Sequence, residues 1–290
     1  MRIIACFAVS ILILLSACQP DLGVDPQEPV ALPNKIVEID VNNDSAVIFL
    51  NYSSSGDIIK MVTNNYETGI MTGTDTAYIS YYADGKINWY LNRERDIAGG
   101  DYWQMDQFFF KDASGKINGF RVADRDGTRP PDYYRYLYDN NNRLQKVILE
   151  LDSADYFSQN VADYNDIDSL VYDAAGRVTE EYSLSKNLIT GVFSTTGRTN
   201  ITGYDTRAGA LPAGINNYSI FEESFFLSSS QPNGYHFENF YLGRSGDIAY
   251  HTIYDASGRP VKTDATSTGD AYVSGYGLQN ASMKQRLFYY

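Results

Sequence analysis

Tyr172-Asp173-Ala174-Ala175-Gly176-Arg177-Val178 and Tyr254-Asp255-Ala256-Ser257-Gly258-Arg259 repeat one pattern: an aromatic, Asp, two small residues, Gly and a basic residue. The pattern has the chemistry of a tight β-hairpin. An Asp carboxylate at the first corner accepts a hydrogen bond from the backbone N–H two residues on. The next two residues take type I geometry, and the Gly turns to positive φ and forms a bulge matching the strand twist. Working outward, Asp112-Ala113-Ser114-Gly115-Lys116-Ile117 after Phe110 and Tyr82-Ala83-Asp84-Gly85-Lys86-Ile87 are close copies. Tyr138-Asp139-Asn140-Asn141-Asn142-Arg143-Leu144 places Asn142 where Gly stands elsewhere. Asn is the non-glycine residue that best tolerates the left-handed region. Looser copies put turn glycines at Gly56 and Gly246. The corners Gly56, Gly85, Gly115, Asn142 and Gly176 recur at a spacing of about thirty residues.

The flanks alternate as strands do, for instance Tyr78-Ile79-Ser80-Tyr81-Tyr82 and Ile87-Asn88-Trp89-Tyr90-Leu91. Each period therefore holds two strands, a tight turn and a longer polar return loop, such as Asn92 to Gly100 or Ala123 to Pro131. The expected fold is all-β: an antiparallel up-and-down meander of roughly 16–18 strands. A sheet that long accumulates twist and must coil or close into a barrel-like sheet. Residues 189–235 break the rhythm with a degraded copy, Tyr204-Asp205-Thr206-Arg207-Ala208-Gly209, and with Pro212 and Pro232. A strand swap or an extended loop is expected there.

The N-terminus has a different character. Arg2 precedes an apolar run, Ile3 to Leu15, too short for a transmembrane helix, and Leu15-Ser16-Ala17-Cys18 comes next. This resembles the lipobox of bacterial lipoproteins. It implies a signal peptide over residues 1–17 and a lipidated Cys18 as the first residue of the mature chain. Residues 18–34 are rich in proline and acids and read as a flexible tether. Residues 35–290 read as one β-meander domain. With Cys6 lost and Cys18 acylated, neither a disulfide nor thiolate chemistry is expected in the mature chain.

Composition narrows the function. The net charge is −13, one unit more negative once Arg2 leaves, so phosphate-based nucleic-acid binding is excluded. There are 25 tyrosines, 14 phenylalanines and 2 tryptophans, which suit a pleated, half-buried surface.

The turn copies also resemble the tyrosine–aspartate (YD) repeats of large surface and toxin-shell proteins, where they imply a sheet spiralling into a hollow shell. This chain is too short for that role. It is more similar to envelope lipoproteins of unknown function built as a porin-like β-meander with YD-type turns, a resemblance covering most of residues 36–290. Neither resemblance supplies catalytic residues, a cofactor or a metal.

Patterns of residues with catalytic or metal-binding chemistry are sparse in the chain. His236 and His251 read as plain strand positions. Asp163, Asp166 and Asp168 cluster, as do Asp124 and Asp126 beside Gly127, without the spacing of a calcium loop. Trp89, Tyr102 and Trp103 flank one loop and are the candidate ligand platform, suited to stacking against sugar rings. The expectation is a non-enzymatic lipoprotein of the cell envelope, most simply at the outer membrane. It would be anchored in the bilayer through Cys18 and serve as a binding or scaffolding module for glycans or an envelope protein. Two other readings stay open: a glycan hydrolase using unrecognised carboxylates, and an outer-membrane pore-like barrel, which the aromatic C-terminus Leu287-Phe288-Tyr289-Tyr290 would suit.

Overall fold

The computed structural model describes residues 31–96, 102–124, 127, 130–158, 166–204, 234–240, 243–269 and 283–290. The chain divides into two units, Met1–Ala31 and Leu32–Tyr290. The signal peptide, Cys18 and nearly all of the expected tether therefore lie outside the described residues.

Within Leu32–Tyr290, the described residues form sixteen strands and one short helix. The strands are β1 (Lys35–Asp40), β2 (Ser45–Tyr52), β3 (Ile58–Glu67), β4 (Ile70–Tyr81), β5 (Ile87–Asp96), β6 (Tyr102–Lys111), β7 (Ile117–Asp124) and β8 (Asp132–Tyr138). They continue with β9 (Leu144–Leu151), β10 (Asp166–Tyr172), β11 (Val178–Lys186), β12 (Phe193–Ile201), β13 (Gly234–Asn239), β14 (Arg244–Tyr254), β15 (Pro260–Gly269) and β16 (Met283–Tyr289). The helix α1 (Ser153–Ser158) comes after β9. Every strand pairs antiparallel with its sequence neighbours, and β1 pairs with β16, so the meander closes into a barrel. Closure removes both sheet edges, the backbone groups a long open meander would leave unpaired.

The hairpins obey the turn chemistry. Gly56, Gly85, Gly115, Gly176 and Gly258 take φ between +78° and +87°, and Asn142 takes +67°. In the β10–β11 turn the Asp173 N–H donates to the Arg177 carbonyl at 2.9 Å and the Gly176 N–H to the Asp173 carbonyl at 3.0 Å. The same pair of bonds recurs in the turns at Asp112, Asp139 and Asp255. Six hairpins carry a one-residue register shift at the end of their first strand, at Tyr52, Tyr81, Lys111, Tyr138, Tyr172 and Tyr254.

Several expectations differ in detail. Gly246 is not a turn residue: it lies inside β14, paired with Phe237 and Gly269, and Gly243 at φ +63° takes the corner. The reason is register, since Arg244 must pair with Asn239 and the turn therefore closes earlier. In the β4–β5 turn Tyr82, not Asp84, occupies the Asp position, because the Tyr82 N–H meets the Lys86 carbonyl and Tyr81 takes the aromatic place. In the β6–β7 turn Lys111 holds that place and Phe110 faces the other way. Asn92 to Asp96 belong to β5, since their partners on β4 extend the ladder, so the return loop is shorter than expected. β12 pairs directly with β13, which excludes a strand swap there; residues 205–233 lie outside the described residues. An all-β reading also omits α1. There, the Tyr156 N–H bonds the Asp152 carbonyl at 3.0 Å.

Alternation assigns the two faces of the wall. Ile36, Leu50, Ile58, Ile79, Ile87, Phe109, Ile117, Phe120, Tyr136, Val147 and Phe288 share one face and form a single buried cluster. They come from β1 to β9 and β16, and only the inward face lets so many strands bury side chains together without a covering layer. The outward neighbours Phe49, Val171, Ile253 and Tyr289 are exposed. A second cluster joins Tyr156 of α1 to Tyr133, Ile148, Leu151 and Ile167 on the outward face. Here Gly119 makes room for the helix. A Cβ at that position would stand 2.2 Å from the Tyr134 carbonyl oxygen and 2.8 Å from the Tyr156 hydroxyl.

Candidate functional site

The most organised side-chain array is the lacing at the hairpin end. The Tyr138 hydroxyl donates to the Ile117 carbonyl at 2.5 Å, Tyr172 to Leu144 at 2.5 Å, Tyr204 to Val178 at 2.6 Å and Tyr290 to Pro260 at 2.9 Å. Tyr81 reaches Ile58 at 2.8 Å, and Tyr52 reaches Pro33 at 2.6 Å. Apart from Pro33, each acceptor is the first residue after the preceding turn. The basic residue of that preceding turn covers the same ring: Lys116 over Tyr138 at 3.3 Å, Arg143 over Tyr172 at 4.7 Å, Arg177 over Tyr204 at 5.2 Å and Arg259 over Tyr290 at 4.6 Å. Arg143, Arg177 and Arg259 in turn bind their own Asp with two nitrogens, at 2.7–2.8 Å. Each hairpin thus clasps the next. At the β6–β7 hairpin the parts are exchanged: Lys111 Nζ bonds Asp84 at 2.6 Å and lies over the Tyr82 ring, while Tyr82 donates to the Phe109 carbonyl.

The electrostatics arise from these contacts. Burial pushes the Tyr172 and Tyr290 hydroxyls up to about 12 and raises Tyr52, Tyr81 and Tyr204 as well. The backbone N–H of Arg143, Arg177 and Arg259, donated to the carboxylate, holds Asp139, Asp173 and Asp255 below the usual range. Asp84 is lowered to about 2, chiefly by the hydrogen bond from Lys111.

Inside the barrel, an ion pair spans the closing seam. Glu38 on β1 and Arg286 on β16 are register partners, and Arg286 Nε donates to Glu38 Oε1 at 2.6 Å. Arg286 is buried, as is Thr263 opposite it on β15. Tyr250, a neighbour of both charges, has its hydroxyl pushed up to about 12 by burial. This pair was not anticipated from the sequence. Its signal was present in Ile36-x-Glu38 and Arg286-x-Phe288, where a charge takes the inward parity of a core residue.

The outward wall is polar and laced in its own way. Lys60 and Arg93 flank the Tyr78 ring, Arg121 covers Phe108, Lys35 covers Tyr289, and Arg198 binds Glu180 at 2.9 Å. His236 Nδ1 lies 2.8 Å from Asp247 across β13 and β14, with Glu238 3.8 Å from Nε2. His251 is exposed on β14 opposite Asp264. Both histidines are thus outward strand positions.

The register separates the three candidate platform residues. Trp89 is opposite Phe108 and shares a face with it; on β6, positions 108 and 102 have the same parity and position 103 the other. Position 103 therefore falls on the face opposite Trp89. Position 102 lies six residues along the strand from Phe108, about 20 Å away. The side chains of Tyr102 and Trp103 lie outside the described residues. The acidic clusters are divided too. Asp168 faces inward and accepts from Ser183 Oγ at 2.9 Å, while Asp126 and Asp163 lie outside the described residues. Among the described residues no group of His, Cys, Asp or Glu is arranged to hold a metal ion, and no helix is long and apolar enough to cross a membrane.

No protein-family model matches the chain. No curated protein matches it either. Among solved structures, it is similar to a porin-like protein from Bacteroides uniformis, at 13% identity and a TM-score of 0.47 over 88% of this chain and 96% of that one. A porin-like protein from Bacteroides vulgatus aligns at 12% identity and a TM-score of 0.40, over 89% and 98% of the two chains. The Tc holotoxin pore of Photorhabdus luminescens aligns with 77% of this chain and 11% of its own, at 13% identity and a TM-score of 0.23.

Proposed function

We propose that the chain is a lipid-anchored protein of the bacterial cell envelope: a non-enzymatic binding or scaffolding module held at the outer membrane by acylated Cys18. The observation that carries the reading is Cys18 behind Leu15-Ser16-Ala17, continued by a segment that enters the barrel at Asn34, where the N–H bonds the Tyr289 carbonyl at 2.8 Å. An anchor joined to a tether suits a domain that works beside a bilayer. Glycans and envelope proteins are its candidate partners, because the outward wall presents rings and cations together. Labelling with radioactive palmitate should mark the wild-type chain and not Cys18→Ser; equal labelling of both refutes the anchor. Glycan arrays and pull-downs with the acyl-free chain test the binding role, and polysaccharide turnover lost on replacing a single acid refutes the non-enzymatic one.

The closed sixteen-strand ring favours one other reading, a pore-like barrel. Against it stand the outward charges Lys35, Lys60, Arg93, Arg121, Arg135 and Lys146, which a lipid-facing band excludes. A chain that stays soluble without detergent would rule the pore out.

A further inference from the structure

The two ends of the barrel differ in chemistry. The hairpin end has corners of Ser, Asp, Ala, Asn and Gly. At the opposite end, where return turns are expected to be polar, apolar side chains project into solvent. Ile70 at the start of β4 is 70% exposed, Leu188, Ile189 and Val192 between β11 and β12 are 79%, 95% and 63% exposed, and Phe240 after β13 is 51% exposed.

Their placement selects the partner. The β3–β4 and β11–β12 turns lie eight strands apart around a ring of sixteen, on opposite sides of the rim. A globular partner seated on either side would meet only a few of these side chains, far less than the ~800 Å² per partner of a stable interface. Among the described residues, the exposed apolar groups at this end stand on both sides of the ring, a distribution that suits a planar partner. Lys186 and Arg244 flank the apolar groups on the β11–β12 and β13–β14 sides, in a chain whose net charge is −13. Of the acids at this end, Asp40 and Asp44 are turned onto backbone amides: Asp40 accepts from the Asn42 and Asp44 N–H groups at 2.8 Å, and Asp44 from Thr68 at 2.9 Å, whereas Glu67, paired with Ile70, is exposed.

We propose that this rim seats on a lipid bilayer. Ile70, Leu188, Ile189, Val192 and Phe240 enter the boundary between headgroups and acyl chains, and Lys186 and Arg244 meet lipid phosphates. The proposal deepens the anchored reading. The tether enters at the hairpin end, and residues 19–33 span up to about 50 Å when extended. A ten-residue strand rises about 33 Å, less than the contour length of that segment.

The test uses the chain from residue 18 carrying Cys18→Ser, so that no acyl chain contributes. It is sedimented with vesicles of phosphatidylethanolamine and phosphatidylglycerol. The expected result is co-sedimentation that rises with the phosphatidylglycerol fraction. It should fall by roughly tenfold in Leu188→Ser/Ile189→Ser/Val192→Ser and measurably in Ile70→Ser, with thermal unfolding unchanged. Absence of pelleting by the parent chain, or equal pelleting by the variants, overturns the proposal. Light scattering that shows a dimer abolished by the same substitutions would also overturn it, assigning the rim to a second copy of the chain. A failed palmitate label with intact vesicle binding would sink the anchor and leave the rim standing.

Discussion

At the scale of single residues, two kinds of constraint operate. Gly176 and Gly258 are required for their backbone: both turn left-handed, and nothing lies within 4 Å of a Cβ placed there. Replacing either by Val should cost about 1–3 kcal/mol through strain alone, read as a lowered thermal midpoint. Gly119 is required for space, so Gly119→Ala should unseat Tyr156 and α1 as well as destabilise, seen as faster amide exchange over residues 153–158. The lacing tyrosines act by hydrogen bond. Tyr172→Phe leaves the Leu144 carbonyl without its donor and should cost about 1 kcal/mol. The raised hydroxyls also set an alkaline limit. A tyrosine whose folded pKa exceeds its unfolded value of 10 contributes stability that is complete below that value and is lost as pH rises through the folded one. For Tyr172 and Tyr290 the window runs from 10 to about 12. Absorbance at tyrosinate wavelengths should therefore show a late group of hydroxyls that ionise together with unfolding.

At the scale of the hairpin, the repeat proves to be more than a local turn. The sequence pattern made the corner legible, because Asp, Gly and the residues between them answer to their own backbone. Its wider role was not legible: the acceptor for Tyr172 lies in the preceding hairpin, twenty-eight residues back. A reading of adjacent residues cannot reach that distance, although an aromatic and an Arg recurring at fixed motif positions were the available signal. Closeness in sequence likewise does not fix a shared face in a strand: by register position 103 takes the parity opposite to Trp89, while position 102 shares it six residues further along. The apolar rim was visible as Leu188-Ile189 and Val192-Phe193 at a place where a loop is expected to be polar, but nothing local told which end of the barrel it occupies. The turn carboxylates give this scale its own prediction. Their folded pKa values are lowered, so their contribution is present above the unfolded value and is lost as pH falls through the folded one. Thermal stability should decline below pH 4, and a triple variant Asp139→Asn/Asp173→Asn/Asp255→Asn should flatten that decline.

At the scale of the whole molecule, closure is the central feature. Twist, hairpin succession and lacing bring β16 back to β1, where Tyr289 meets Asn34, Arg286 meets Glu38, and Tyr290 and Tyr52 each clasp a neighbouring carbonyl. An open coiled sheet would leave both terminal strands as free edges and the Glu38–Arg286 charges unpaired. The register places Val37 directly opposite Leu287, both outward. The most direct measurement is the disulfide Val37→Cys/Leu287→Cys in the Cys18→Ser chain under mild oxidation. The closed barrel predicts a rapid intramolecular bond, seen as a reduction-sensitive mobility shift of the monomer, because opposed strand residues lie within bonding distance. Thiols that remain free, or that join only between molecules, would contradict it.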